Sequence, residues 1–267
     1  MISMKLPIYQ VDAFTNQTFE GNPAAVCPLK AWLPTEKMLA IAAENNLSET
    51  AFFVKKEEGA YDLRWFTPAL EIDLCGHATL AAAFVIFEKL GHTQNRIDFH
   101  SKSGLLSVTK REEFLYLDFP SRKPETPKEV PVSLAEGTAF NGVKPISVLK
   151  SRDYLVVFES EKQILEIVPD LRLLEQIDTL GIIITSKGTN ADFVSRFFAP
   201  RAGVNEDPVT GSAHCTLIPY WAEFLGKSVL TAYQLSERKG FVKCEMLGSR
   251  VKIGGEAVLY LEGTISV

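Results

Sequence analysis

The 267-residue chain carries 28 basic and 33 acidic residues, a net charge of −5, and 46% hydrophobic residues. This composition is typical of a globular protein with a buried core and excludes disordered and fibrous classes. No basic cluster indicates a nucleic-acid partner, and no apolar stretch is long enough to span a membrane. The four cysteines lack metal-ligand spacing, and the N-terminus lacks a secretory segment. We therefore expect a cytoplasmic protein with free thiols.

The first half of the chain is predicted to consist of several strands and two helices. Alternating apolar residues predict the strands, and a period of 3.6 residues predicts a first helix with Thr35 as its N-cap. A glycine turn at Asp73–Thr79 then opens into a second helix, which ends at Leu90-Gly91. The predicted strands span residues 6–14, 51–54, 61–66, 97–99, 105–109 and 114–119.

The second half begins after residues 120–131, whose four prolines among charged residues predict a linker between domains. Strands are predicted at residues 146–149, 154–158, 181–185 and 192–198, with a helix at residues 160–174. A second glycine turn at Asp207–His214 opens into a further apolar helix, which Pro219 is expected to kink or interrupt.

The two halves repeat one pattern of residues. Arg64–Pro68 resembles Arg196–Pro200 at an offset of 132 residues (64 to 196), whereas Gly76 and Gly211 are separated by 135 residues (76 to 211). The second copy therefore carries three extra residues before its glycine turn. Several matches in the same order indicate two copies of one α/β unit.

Both predicted helices that follow the glycine turns are apolar on nearly every face, so each must be buried on every side. We therefore predict an α+β fold of two similar domains related by pseudo-two-fold symmetry. Each domain is a curled mixed or antiparallel sheet around a central helix. The domains are placed at residues 1–119 and 132–256, with the linker at 120–131, and residues 257–267 are a candidate strand completing the first domain.

The repeat suggests that the two helix N-termini face one another across an interdomain cleft. Backbone N–H groups at Gly76 and Gly211 could then bind a small carboxylate substrate. An equally supported interpretation is that both glycines only permit a tight turn or close packing. His77 lies beside the first turn, where capping or packing is the commoner role and proton transfer the alternative.

Other polar residues have structural interpretations when each is taken singly. Asp207 precedes a proline, as in many Asx turns, Ser212 could cap a helix, and Glu49 could be a surface carboxylate. A metal site at His77 and His214 lacks a third ligand, so no metal is expected. Motifs for phosphate loops, dinucleotide binding and serine hydrolases are absent from the sequence, so a nucleotide cofactor has no support.

Taken together, the motifs resemble those of the PhzF-like family, named for the phenazine-biosynthesis isomerase. The matching segments are Gln10–Phe14, Gly21–Ala24, Ser48–Phe52, Arg64–Pro68, Cys75–Thr79 and Glu206–Ser212. The resemblance implies the two-domain fold of diaminopimelate epimerase, with a helix inside each half-barrel. It also implies a cofactor-free isomerase of a biosynthetic process, with an active site between the domains, and a homodimer.

By this family pattern, Glu49 would be the acid/base that moves a proton between carbons of a small carboxylate-bearing metabolite. His77, Asp207 and Ser212 would bind the substrate and assist the transfer. A first alternative is an amino-acid racemase or epimerase that uses Cys75. Related epimerases have a second cysteine where this chain has Thr210, which is too weak an acid to replace it. A second alternative is a non-catalytic metabolite-binding protein with the same fold.

Overall fold

A computed structural model describes residues 4–267. Within this part of the chain, residues up to Asp118 together with Gly254–Val267 form one compact unit, and Phe119–Ile253 form a second. No helix among the described residues is both long enough and apolar enough to cross a bilayer.

The described residues form sixteen strands and six α-helices. The strands are β1 Lys5–Ala13, β2 Asn22–Leu29, β3 Glu49–Glu57, β4 Ala60–Phe66, β5 Glu71–Ile72, β6 Arg96–Ser101, β7 Gly104–Arg111, β8 Phe114–Pro120, β9 Ser147–Lys150, β10 Tyr154–Val157, β11 Ile182–Lys187, β12 Phe193–Phe198, β13 Val229–Gln234, β14 Gly240–Leu247, β15 Arg250–Gly255 and β16 Ala257–Ser266. The helices are α1 Thr35–Asn45, α2 Gly76–Glu88, α3 Val132–Ala135, α4 Glu161–Glu166, α5 Leu171–Glu175 and α6 Gly211–Leu225.

The sheet of the first unit has the strand order β16-β1-β2-β3-β4-β6-β7-β8, with β5 beside β4. Most neighbouring strands are antiparallel, but β2 and β3 are parallel, and so are β4 and β6. The helix α2 forms the connection between β4 and β6. The C-terminal strand β16 pairs antiparallel with β1 along nearly its whole length.

The sheet of the second unit has the same plan, in the order β9-β10-β11-β12-β13-β14-β15. Here β10 is parallel to β11 and β12 to β13, at the places where the first unit has its own parallel pairs. The helix α6 connects β12 to β13, as α2 connects β4 to β6. This repeated arrangement of a mixed sheet and one connecting helix confirms the predicted fold class.

The helices α2 and α6 form the interior of their units. Every residue of α2 from His77 to Phe87 is buried except Phe84, and the helix contacts β1, β2, β3 and β16. The backbone at Gly255 packs closely against this interior: a Cβ atom there would lie 2.3 Å from the Phe14 ring and 3.1 Å from Leu80 of α2. In α6, Trp221 stacks on Phe193 and donates its indole N–H to the Thr185 hydroxyl, 3.0 Å away.

The opposite face of each sheet carries a separate apolar core. In the first unit α1 covers this face, where Met38 and Ile41 pack with Ile8 and Phe52. In the second unit α3, α4 and α5 contribute apolar residues to the corresponding core. Strands covered on both faces, such as β10, β11 and β12, are therefore buried at most positions. In contrast, β13 and β14 alternate between buried and more exposed residues.

An arginine–glutamate pair marks the repeat in each unit. Arg64 binds both carboxylate oxygens of Glu71, with N–O distances of 2.8 Å, and Arg196 binds Glu206 at 2.8 and 2.9 Å. Each glutamate precedes its helix glycine by the same interval. The three extra residues of the second copy therefore lie between β12 and Glu206, where a short 3₁₀ helix occurs at Pro200–Ala202.

Three local expectations need correction. The helix predicted at residues 160–174 is divided into α4 and α5 because Pro169 lies between them and Asp170 caps α5 with its side chain. Pro219 does not interrupt α6, which runs from Gly211 to Leu225. The N-cap of α1 is Pro34, so Thr35 is the first helical residue rather than the cap.

The proline-rich segment at residues 120–131 belongs to the second unit and makes backbone hydrogen bonds within it. Ser121 donates to Ser249, Arg122 donates to Cys215, and Glu125 exchanges two bonds with Lys150. The proline content thus accompanies an irregular segment whose one regular feature is the isolated bridge between Glu125 and Lys150.

Candidate active site

The first unit brings the predicted residues Glu49 and His77 into direct contact. Glu49 is the first residue of β3, and His77 is the second residue of α2. Nε2 of His77 lies 3.0 Å from Oε2 of Glu49, and the two side chains are only 6% and 15% exposed. Gly76 begins the same helix, where the first backbone N–H groups have no acceptor within the helix. A carboxylate–imidazole pair therefore lies beside backbone groups suited to an anion.

Two further side chains contact the His77 ring. The Nδ2 atom of the buried Asn22 amide lies 3.1 Å from His77 Nδ1, and the Cys75 sulfur lies 3.5 Å from the same nitrogen. A neutral imidazole accepts at Nδ1 from the amide nitrogen, whereas an imidazolium donates there to the amide oxygen. Rotating the Asn22 amide by half a turn exchanges these groups, so Asn22 can serve both protonation states of His77.

The surroundings of His77 favour its charged form. Burial acts to lower the pKa of His77, but the neighbouring Cys75 and Glu49 raise it well above its ordinary value of 6.5. Burial, with a contribution from the Glu49 charge, raises the pKa of the Cys75 thiol to about 11. The sulfur is therefore protonated at neutral pH, so the Glu49 carboxylate is the charge that stabilises the imidazolium.

Glu49, Cys75 and His77 also form the donor set that a metal ion would need. Each offers one ligand atom, and these atoms lie within 4.8 Å of one another. A metal would require a thiolate and a neutral imidazole, whereas the raised pKa values of Cys75 and His77 favour the protonated forms of both. Cys75 and His77 are therefore both proton-bearing groups at neutral pH.

The second unit has a corresponding polar cluster at the start of α6. The N-cap Thr210 donates its hydroxyl to Oδ2 of Asp207, and its backbone N–H donates to Oε1 of Gln234 at 2.8 Å. Gln234 Nε2 donates to the Asp207 carbonyl at 2.7 Å and to the Thr210 hydroxyl oxygen at 3.1 Å. Thr210 is thus held by hydrogen bonds at the position equivalent to Cys75, and Gly211 follows it at the start of the helix.

Equivalent residues fix the N-cap of both helices. Thr79 donates its hydroxyl to the Cys75 carbonyl at 2.5 Å, and His214 Nδ1 lies 2.9 Å from the Thr210 carbonyl. Both bonds run from a side chain to the carbonyl four residues earlier. His214 is completely buried, and burial lowers its pKa to about 4, so it is neutral at pH 7. His214 therefore acts here as a neutral hydrogen-bonding partner of the Thr210 carbonyl.

Ser212 is paired with a residue that the sequence did not indicate. Arg152 Nη2 donates to Ser212 Oγ at 3.0 Å and to Asp153 Oδ2 at 2.9 Å. Asn22 and Gln234 were also missed as site residues. Asn22 lies in a segment that matches the family motif, so a signal for it existed, whereas no sequence pattern distinguished Arg152 or Gln234 from other polar residues.

Comparison with known proteins gives the family. A family model described as phenazine biosynthesis-like protein matches residues 11–263. The chain belongs to the phenazine biosynthesis-like family. A protein from Pseudomonas aeruginosa named as an uncharacterized isomerase is 51% identical over 262 residues, covering 98% of this chain and 99% of that protein. The human phenazine biosynthesis-like domain-containing protein is 40% identical over 287 residues, covering 98% of this chain and all of its own length.

Solved structures agree with this membership of the phenazine biosynthesis-like family. A PhzF-family protein from Enterococcus faecalis superposes with a TM-score of 0.95 at 48% identity, covering 99% of this chain and 100% of that one. A hydroxyproline epimerase from Agrobacterium vitis shares the fold, with a TM-score of 0.65 at 10% identity over 98% of this chain and 93% of that one. The family and its named relatives support an isomerase-type activity for the chain.

Proposed function

We propose that this protein is a cofactor-independent isomerase that moves a proton between two carbons of a small carboxylate-bearing metabolite. The observation that carries the proposal is the buried contact of 3.0 Å between His77 Nε2 and Glu49 Oε2 beside the start of α2. A carboxylate in such a position can take a proton from carbon and return it, because few water molecules compete for it.

In the proposed reaction Glu49 removes a proton from a carbon next to an electron-withdrawing group. The electron pair of the broken C–H bond forms a new double bond to the neighbouring carbon, and the π electrons of the existing double bond move to its far carbon. The same Glu49 carboxyl then protonates that far carbon. His77 lies at ion-pair distance from Glu49 and balances its charge before the transfer. The net change is the relocation of one proton and one double bond, which requires no redox partner.

Residues of the second unit enter the proposal through the family motif. Gly211 and Ser212 are proposed to bind the substrate, with Gly76 and His77 in the first unit, and Asp207 is proposed to assist the transfer. A cytoplasmic homodimer is likewise proposed from the family resemblance. An amino-acid racemase that uses Cys75 is less well supported, because its thiol has a pKa of about 11 and Thr210 already donates its hydroxyl to Asp207.

The proposal is tested by solvent deuterium exchange. A panel of small unsaturated carboxylic acids is incubated with the protein in D2O, and deuterium incorporation is followed by proton NMR. We expect Glu49→Gln to lower the exchange rate of an active compound by about 10²–10⁴-fold. The matched control is Glu57→Gln, because Glu57 lies at the exposed end of the same strand. Its rate should equal that of the wild type.

Two outcomes would contradict the proposal. Wild-type exchange by Glu49→Gln would exclude this residue as the acid/base. Binding of panel compounds without exchange into any of them would favour the non-catalytic metabolite-binding alternative.

A further inference from the structure

The turn between β9 and β10 lies along the first two turns of α6. Ser151 Oγ lies 2.9 Å from Thr216 Oγ1, and Arg152 Nη2 lies 3.0 Å from Ser212 Oγ. Ser212 and Thr216 are four residues apart and so share one face of the helix. The turn itself is closed by a bond of 3.1 Å from Ser151 N to the Asp153 carbonyl. These contacts fix the position of Arg152 relative to α6.

The orientation of the Arg152 guanidinium is also fixed. Asp153 is only 1% exposed and accepts hydrogen bonds from Arg152 Nε at 3.2 Å and from Nη2 at 2.9 Å. Asp153 therefore holds one edge of the planar group. The Arg152 side chain is 32% exposed, so its other edge remains accessible. A charged group held in this way loses little conformational freedom when it binds a ligand.

The remaining hydrogen-bonding capacity of this pair consists of donors. Arginine has five N–H groups, and Arg152 uses those on Nε and Nη2 for Asp153 and Ser212. Among the residues that the structure describes, none accepts from its Nη1. Because Ser212 Oγ accepts the bond from Arg152, its hydroxyl hydrogen points away and can donate. Two donors on adjacent side chains are therefore available to a ligand, which suits an anionic acceptor.

Charged groups near the first turns of α6 also include more than one cation. Burial raises the pKa of Cys215, one turn into α6, to about 11, while Arg122 and Arg152 act to lower it and Asp153 acts to raise it. Two cations and one anion thus act on this turn of the helix. Nη1 of Arg122 is buried without a hydrogen-bond partner among the described residues.

We propose that Arg152 and Ser212 bind a carboxylate group of the substrate, with Arg152 Nη1 and the Ser212 hydroxyl as the donors. Arg152 is then a substrate-binding residue that selects acids over their neutral analogues. This inference rests on the proposed function for the identity of the ligand as a substrate, but its test measures binding and needs no turnover.

The experiment measures the affinity of propionate and of its neutral analogue propionamide by NMR titration at constant ionic strength. Wild-type protein should bind propionate more tightly than propionamide. Arg152→Met removes the charge with little change in volume, and we expect it to weaken propionate binding by about tenfold or more while propionamide is unaffected. Arg152→Lys should give an intermediate affinity, because lysine keeps the charge but not the planar group.

Control variants separate binding from folding and from net charge. Arg201→Met removes an equal charge from an exposed ion pair with Asp178 and should leave the acid-to-amide preference intact. Ser212→Ala should weaken propionate binding while keeping the arginine. Equal propionate affinities for wild type and both Arg152 variants would overturn the proposal, as would the absence of any preference for the acid in the wild type. The two proposals can fail separately: the catalytic assignment is tested by deuterium exchange in Glu49→Gln, whereas this binding proposal is tested by the preference for acid over amide in the wild type and the Arg152 variants.

Discussion

His77 Nε2 lies 3.0 Å from Glu49 Oε2, and this contact joins the start of α2 to the start of β3 inside the first unit. A largely buried ion pair contributes little net stability, but removing one partner leaves an uncompensated charge and is costly. We therefore expect the contact to affect mainly the pH dependence of stability and the effects of single substitutions.

His77 should stabilise the folded chain in a pH-dependent way. Folding raises the pKa of His77 well above 6.5. Its contribution to the free energy of unfolding is therefore complete below pH 6.5 and is lost as the pH rises through the pKa of the folded state. We expect His77→Gln to destabilise the protein most near pH 6 and progressively less as the pH rises above 6.5. Urea denaturation at a series of pH values measures this difference. The exposed His100→Gln is the control, and a pH-independent effect of His77→Gln would contradict the prediction.

Cys75 should be dispensable for proton transfer. A thiol with a pKa of about 11 is only about 10⁻⁴ ionised at pH 7 and is a poor base. We expect Cys75→Ser to keep the wild-type rate of deuterium exchange, and the folded protein to react slowly with iodoacetamide at this position. Cys27→Ser, at another buried cysteine of the same unit, is the matched control. Loss of exchange in Cys75→Ser alone would instead support the racemase.

Much of the fold could be predicted from the sequence, because the patterns that indicate it lie within short segments. The paired segments around Arg64 and Arg196 and the glycines that begin α2 and α6 revealed the repeat, and even its three extra residues have a structural counterpart at Pro200–Ala202. The prediction of one helix at residues 160–174 was wrong for an equally local reason. The helical spacing of apolar residues continues past Pro169, but this proline divides the segment into two helices.

The contacts of the candidate site could not be predicted in the same way. Asn22 and His77 are 55 residues apart, and Arg152 and Ser212 are 60 residues apart, so no local period relates them. Glu49, taken alone, had the pattern of a surface carboxylate, and only the family resemblance suggested its role. Side-chain pairs of this kind depend on tertiary packing, which a single sequence does not specify.

Gly21 should be required for the position of Asn22. Its φ is +65°, and a Cβ atom there would lie 2.2 Å from the Ala13 carbonyl oxygen. We expect Gly21→Ala to destabilise the protein by about 3 kcal/mol, because a strained backbone is combined with a steric clash. Gly91→Ala is the control: its φ is +70°, but nothing lies within 4 Å, so a loss of about 1 kcal/mol is expected. Equal losses, measured by urea denaturation, would show that the clash is relieved.

His214 should make the protein sensitive to acid. Burial lowers the pKa of His214 to about 4 in the folded protein, although the hydrogen bond with the Thr210 carbonyl acts in the opposite direction. In the unfolded chain the pKa of a histidine is about 6.5. The unfolded state is therefore favoured as the pH falls from 6.5 toward 4, by about 2–3 kcal/mol at the lower end. His214→Gln keeps a donor for the Thr210 carbonyl but cannot titrate, so it should lose less stability than the wild type between pH 7.5 and pH 4.5. Urea denaturation at the two pH values measures this difference, with His100→Gln as the exposed control. If His214→Gln and the wild type lost equal stability, His214 would not be the group that titrates.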